Sequence, residues 1–134
     1  MNNLQHRLLV VDDDPDIGMM IKMMLEYKGF SVTVVERAEK IDAVLNENNI
    51  ALIIMDMLLS GMNGTDVCKR LKADPKTSRI PLIMISAHPN AREVCLKAGA
   101  DEFIAKPFDM NEILTKISML INKNQTENRA NNES

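Results

Sequence analysis

The sequence predicts an α/β domain built on an open, doubly wound parallel sheet, and three observations carry that prediction. Apolar runs of strand length recur along the 134 residues; each is followed by a stretch of helical periodicity; and the runs are nearly continuous rather than alternating. Continuous Val/Ile/Leu/Met runs mark strands covered on both faces, because helices pack on each side of such a sheet. Strict strand–helix alternation with right-handed crossovers then gives the doubly wound arrangement.

The elements follow in order. Leu8 to Val11 is the first strand. Asp14-Pro15 reads as an N-cap with proline at the first helical position, and Gly29 stops the periodic series Ile17, Ile21, Met24 and Leu25. Val32 to Val35 is the second strand. The second helix spans Ala38 to about Asn48, with Ile41, Val44 and Leu45 on one face. Ala51 to Met55 is the third strand, and a third helix runs from near Thr65 to the Asp74-Pro75 break. Its Val67 and Leu71 are expected inward, and Lys69, Arg70 and Lys72 in water. Pro81 to Ile85 is the fourth strand. The fourth helix, about Asn90 to Lys97, closes on Ala98-Gly99, where glycine accepts the left-handed conformation. Phe103 to Ala105 is the fifth strand. Asp109 and Glu112 open the fifth helix as a capping box ahead of Ile113, Ile117 and Leu120. After Asn122 the composition turns to Lys, Asn, Gln, Thr, Glu, Arg and Ser. Residues 1–122 therefore read as one domain, and 123–134 as a disordered polar tail or linker stub.

Composition bounds the function. Hydrophobic residues at 46% and charged ones at 26% suit one folded domain. A net charge of -3 supplies no positive field for nucleic acid, so none is expected as a direct partner. The start, Met1 to Arg7, is polar and no run is long enough for a bilayer, which predicts a cytoplasmic protein without membrane insertion. Cys68 and Cys95 lack metal-binding spacing and read as free thiols. The run Asp12 to Asp16 brushes against a calcium loop, but Gly18 is one position late and Met23 stands where the bidentate glutamate belongs. Taken singly, Asp56, Ser86, Phe103 and Lys106 each have ordinary structural readings.

In a doubly wound sheet, ligands bind beyond the carboxyl ends of the strands. Asp12, Asp13 and Asp14 follow the first strand there, Asp56 the third, Ser86 the fourth and Lys106 the fifth. Clustered carboxylates repel one another by about 1 kcal/mol per pair at 4 Å in water, and by about 4 at an effective dielectric of 20. A cation is expected to offset this. Oxygen-only donors favour a hard ion, Mg²⁺ first and Mn²⁺ as the alternative. A metal beside a carboxylate, with a lysine and a hydroxyl in reach, is suited to phosphoryl transfer onto Asp56.

The segments VVDDDPDI, LIIMDMLLSGMNG, IMISA and ADEFIAKPF resemble the successive motifs of the receiver domain of bacterial two-component response regulators, over about residues 7–122. The resemblance implies a flavodoxin-like (βα)5 fold with strand order 2-1-3-4-5. It implies Mg²⁺ held by Asp13, by Asp12 largely through water, by Asp56 and by the Leu58 backbone carbonyl. It also implies phosphorylation of Asp56 and Lys106 on the phosphoryl oxygens, with a cis peptide before Pro107. Ser86 would follow the phosphate, and Phe103 would turn inward as Ser86 moves. The implied partners are a sensor histidine kinase or phosphotransfer protein and a downstream protein at the face of the fourth helix, fifth strand and fifth helix. The chain itself would be a monomer or a phosphorylation-dependent dimer.

One departure is Ser60, where the family usually has proline; it is expected to leave that turn less constrained and to touch no reacting group. Leu58 and His88 occupy variable positions that the resemblance associates with phosphoryl lifetime. The chain is thus expected to be a switch that modifies itself rather than a turnover enzyme. Two alternatives are a metal-dependent phosphatase using Asp56 as a transient nucleophile, and a receiver-shaped binding module. The first lacks a second acid, since Leu58 stands two residues on.

Overall fold

The structure is a computed structural model that describes the backbone of residues 6–133 and the side chains of 6–124. Strands β1 (Arg7–Val11), β2 (Ser31–Val35), β3 (Ile50–Asp56), β6 (Leu82–Ser86) and β7 (Glu102–Ala105) form one parallel sheet in the order β2-β1-β3-β6-β7. This is the expected 2-1-3-4-5 arrangement. A short antiparallel hairpin, β4 (Leu58–Leu59) with β5 (Met62–Asn63), lies between β3 and the following helix. The helices are α1 (Pro15–Tyr27), α2 (Ile41–Glu47, preceded by a 3-10 turn over Ala38–Lys40), α3 (Gly64–Ala73), α4 (Ala91–Lys97) and α5 (Met110–Glu133).

Two cores flank the sheet. On one face Leu8, Val10, Leu52, Ile54, Ile83 and Ile85 pack against Ile21 and Leu25 of α1 and Ile113 and Ile117 of α5. On the other, Leu9, Val11, Ile53, Met55, Leu82 and Met84 meet Ile41 of α2, Val67 and Leu71 of α3, and Cys95 of α4. Adjacent strand residues alternate between the two clusters because side chains alternate across a strand, so a fully apolar run is required. Burial at about 25 cal/mol per Å² of apolar surface drives this layering. Among the described residues no helix is long and apolar enough to cross a membrane.

Local signals account for the helix ends. Asp14 Oδ1 accepts from the amides of Asp16 and Ile17, and Pro15 begins α1. Gly29, at φ 100°, ends it, with Gly29 and Phe30 N–H donating back to Glu26 and Leu25. The capping box of α5 is half formed: Asp109 Oδ1 accepts from the Asn111 amide at 2.7 Å, while Glu112 turns to Lys116. Lys72 differs from expectation. Its ammonium leaves the solvated face and donates to Ser78 O, Ile80 O and Asp101 Oδ2, because the aliphatic stem lies along the core and carries the charge to unfilled acceptors.

The expected boundary after Asn122 falls inside α5, whose backbone continues to Glu133. From Met110 onward the sequence has neither glycine nor proline to stop a helix. The tail reading itself rests mainly on residues 125–134, and the reading of the start on Met1–Gln5, whose side chains lie outside the described residues.

Candidate functional site

The register of the sheet assembles the site. Val11 pairs with Met55, Asp56 with Ile85, and Ser86 with Ala105, so all four strands finish at nearly the same level. The last ladder bonds run from Asp12 N–H to Val35 O, Met57 N–H to Ile85 O, and Lys106 N–H to Ser86 O. The residues that follow are therefore delivered to one edge, although they span most of the sequence.

Asp56 is buried at 8% exposure, and both its carboxylate oxygens are engaged. Lys106 Nζ donates to Oδ2 at 2.5 Å, and the Leu58 amide donates to Oδ1 at 2.9 Å. Lys106 stands directly before a cis peptide to Pro107, as expected. Asp12 is buried at 3%, with Oδ1 accepting from the Asp14 amide. Burial pushes its carboxyl up from 3.8 to about 6; Asp56 and Asp13 add to the rise, while the Asp14 amide and Lys106 oppose it. Ser86, at 2%, is fixed with its Oγ accepting from the His88 amide.

Asp13 lies at the half-exposed rim, and here the structure overturns one expectation. Ser60 Oγ donates to Asp13 Oδ2 at 2.6 Å, so Ser60 does touch the carboxylate cluster. The hairpin β4–β5 folds its turn back over the β1 end and brings the two together across 47 residues. Gly64 is the other residue whose role the sequence left unread. A Cβ there would stand 2.6 Å from Asp56 O and 2.8 Å from Met57 O, so only glycine lets α3 start against the backbone of the acceptor.

Phe103 lies inward, 6% exposed, and Lys116 Nζ donates to its carbonyl at 2.9 Å. Beside the site, Ile17, Met20, Ala87, Pro107 and Phe108 line an apolar recess that reaches Lys106. Leu58 and His88 stand exposed at the rim.

The donor chemistry fits a hard divalent ion. Asp12, Asp13 and Asp56 offer oxygen alone, and these three carboxylates share the edge with one ammonium, that of Lys106. Among the described residues no three acidic, cysteine or histidine side chains already close on one point. The existing partners explain that: Ser60 draws on Asp13, while Lys106 and the Leu58 amide hold Asp56.

The family described as "Response regulator receiver domain" matches residues 8–118. The chain belongs to that family. Among relatives of this receiver domain, the DNA-binding response regulator MtrA of Mycolicibacterium smegmatis is 33% identical over 129 residues, covering 95% of this chain and 55% of MtrA. The chain thus spans about half the length of the curated relatives it matches. The signal receiver domain of a signal transduction histidine kinase from Syntrophus aciditrophicus superposes with a TM-score of 0.81 at 28% identity, covering 88% of this chain and 91% of that one. The receiver domain of the sensor histidine kinase PA1611 from Pseudomonas aeruginosa gives 0.79 at 28%, covering 87% and 98%, and carries magnesium coordinated in its active-site cleft. Receiver domains are signalling switches of two-component systems rather than turnover enzymes.

Proposed function

We propose that this receiver domain is loaded on Asp56 with a phosphoryl group from a sensor histidine kinase or phosphotransfer protein in the cytoplasm, and that a downstream protein reads the result at the α4–β7–α5 face. The observation that carries the reading is the convergence of three carboxylates, Asp12, Asp13 and Asp56, with one lysine, Lys106, at one sheet edge.

Asp13, Asp56 and the Leu58 carbonyl would hold Mg²⁺ directly and Asp12 largely through water, as the magnesium in the PA1611 receiver's cleft encourages. When bound, the ion supplies charge neutralisation for the phosphoryl oxygens. The chain's own residues do the rest. An Asp56 oxygen attacks phosphorus, the donor's phosphorus–nitrogen bond breaks, and the imidazole leaves with the electron pair and takes up a proton. Lys106, already aimed at Asp56, shifts its ammonium to the incoming oxygens. Ser86, whose Oγ accepts from the His88 amide, donates its hydroxyl to the new dianion, and its movement pulls on the loop leading to α4. The inward Phe103 seen here is the position that the resemblance assigns to the loaded state. The apolar recess next to Lys106 gives a donor protein a contact surface beside the acceptor.

The test is intact mass after incubation with Mg²⁺ and a small acyl phosphate. Wild type is expected to gain one phosphoryl adduct that Asp56→Asn does not. Sustained phosphate release from many donors would instead mark a phosphatase, and no reaction a binding module.

A further inference from the structure

We infer that Ser60 is a positioning residue for the divalent cation: its hydroxyl fixes the Asp13 carboxylate and ties cation binding to the β4–β5 hairpin. The inference rests on the reading above, in which Asp13 is a metal ligand, and goes beyond it by assigning a role to a residue outside the ligand set.

The 2.6 Å distance from Ser60 Oγ to Asp13 Oδ2 is that of a charge-assisted O–H···O⁻ bond. It engages one carboxylate oxygen and leaves Oδ1 for a cation. Asp13 sits in a half-exposed loop, and a carboxylate there would otherwise sample several rotamers and lose that freedom on binding. The partner that removes this freedom lies on the hairpin that also carries Leu58, whose amide holds Asp56 Oδ1 at 2.9 Å. One short hairpin therefore orients two of the proposed carboxylate ligands, Asp13 through a side chain and Asp56 through the backbone. Partners of this kind, one step removed from a metal, alter affinity by about 10–100-fold when lost. Ser60 is exposed, so water replaces part of its bond and the lower end of that range applies.

The probe is Mn²⁺, with free ion read by electron paramagnetic resonance and Mg²⁺ affinity obtained by competition. Ser60→Ala is expected to weaken binding by about tenfold, while Ser60→Thr, which keeps the hydroxyl, retains most of the affinity. Asp13→Asn is expected to weaken it further, and adding Ser60→Ala to Asp13→Asn to cost nothing more. Thermal melts in chelator should be close for wild type and Ser60→Ala, which separates positioning from folding. If Asp13→Asn weakens binding but Ser60→Ala does not, or tightens it, the role of Ser60 is overturned and the site stands. If Asp13→Asn leaves affinity intact, the assignment of Asp13 fails and the inference with it.

Discussion

The two ends of the sheet each carry a lysine–aspartate pair, and they are built for different tasks. At the amino edge, Lys72 Nζ meets Asp101 Oδ2 at 2.8 Å and also donates to Ser78 O and Ile80 O, while the same aspartate oxygen accepts from the Leu82 amide. Charge and donors are balanced there, and the pair staples α3 to β6 and β7. At the carboxyl edge, Lys106 meets Asp56 with Asp12 and Asp13 alongside, so one ammonium faces three carboxylates. A lysine–aspartate contact is thus no sign of function by itself. Leftover charge is, because a cation and a phosphoryl group can enter only where the protein has not already satisfied itself.

The comparison breaks most visibly by cutting each lysine. Lys106→Ala is expected to slow phosphorylation by the acyl phosphate on the order of 10²-fold, since it removes a preorganised cation from the reacting oxygens, and to lower stability in metal-free buffer as well, since Asp56 loses the ammonium it is paired with. Lys72→Ala is expected to cost stability alone. It leaves two carbonyls without their donor and Asp101 without its cation, and should cost about 1–3 kcal/mol, with the phosphorylation rate per folded molecule unchanged. Urea denaturation and intact-mass time courses on the two variants measure both quantities. Matching profiles for the two lysines would end the distinction.

Gly64→Ala probes the backbone under the acceptor. With Asp56 O and Met57 O at 2.6 and 2.8 Å from the new methyl, α3 must retreat. Overpacking of this kind is expected to destabilise by about 1–3 kcal/mol and to slow loading of Asp56 as well. A substitution near the amino-edge pair should show the stability loss alone. An unchanged urea midpoint in Gly64→Ala would mean that the close approach is not maintained in solution.

These residues also show where the sequence could be read and where it could not. The sheet was legible because buried parallel strands leave continuous apolar runs, and the start of α1 because Asp14-Pro15 is a local signal. Asp12, Asp13, Asp56, Ser86 and Lys106 were legible because each ends a strand or follows one within two residues, so topology alone gathers them. Ser60 was not: a single hydroxyl in a turn has no periodicity, and its partner lies 47 residues away across a hairpin too short to leave a pattern. Lys72 failed for the related reason that a long side chain can leave a solvated face for distant carbonyls.

The burial of Asp12 should also appear in stability. The Asp12 carboxyl is raised to about 6 in the folded chain from 3.8, so between those values the folded state keeps a proton that the unfolded state has released. Stability from this group is therefore present at low pH and lost as pH rises through about 6, by roughly 1–3 kcal/mol. In metal-free buffer, Asp12→Asn is expected to be more stable than wild type at pH 7.5, with the gap closing toward pH 4. Mg²⁺ should narrow the gap at pH 7.5 by stabilising wild type. Urea midpoints across that range, with chelator or Mg²⁺, measure it, and a gap independent of pH would remove Asp12 from the account.

The smallest expected effect concerns how long the loaded state lasts. Leu58 and His88 both stand exposed beside the acceptor, Leu58 at 65%, and neither is held by the charge cluster itself. Hydrolysis of an acyl phosphate needs a water on line with the Asp56–phosphorus bond. An apolar Leu58 gives that water no hydrogen-bond partner, whereas asparagine would supply one. Leu58→Asn is therefore expected to shorten the half-life of the adduct severalfold, on the order of 1 kcal/mol in barrier. His88, whose Nδ1 already accepts from the Asn90 amide, would act by bulk alone, so His88→Ala should admit water with a smaller gain in rate. Decay of the adduct by intact mass reads both. Equal rates in Leu58→Asn, His88→Ala and wild type would place control of lifetime with Lys106 and the carboxylates, and the rim would then serve partners alone.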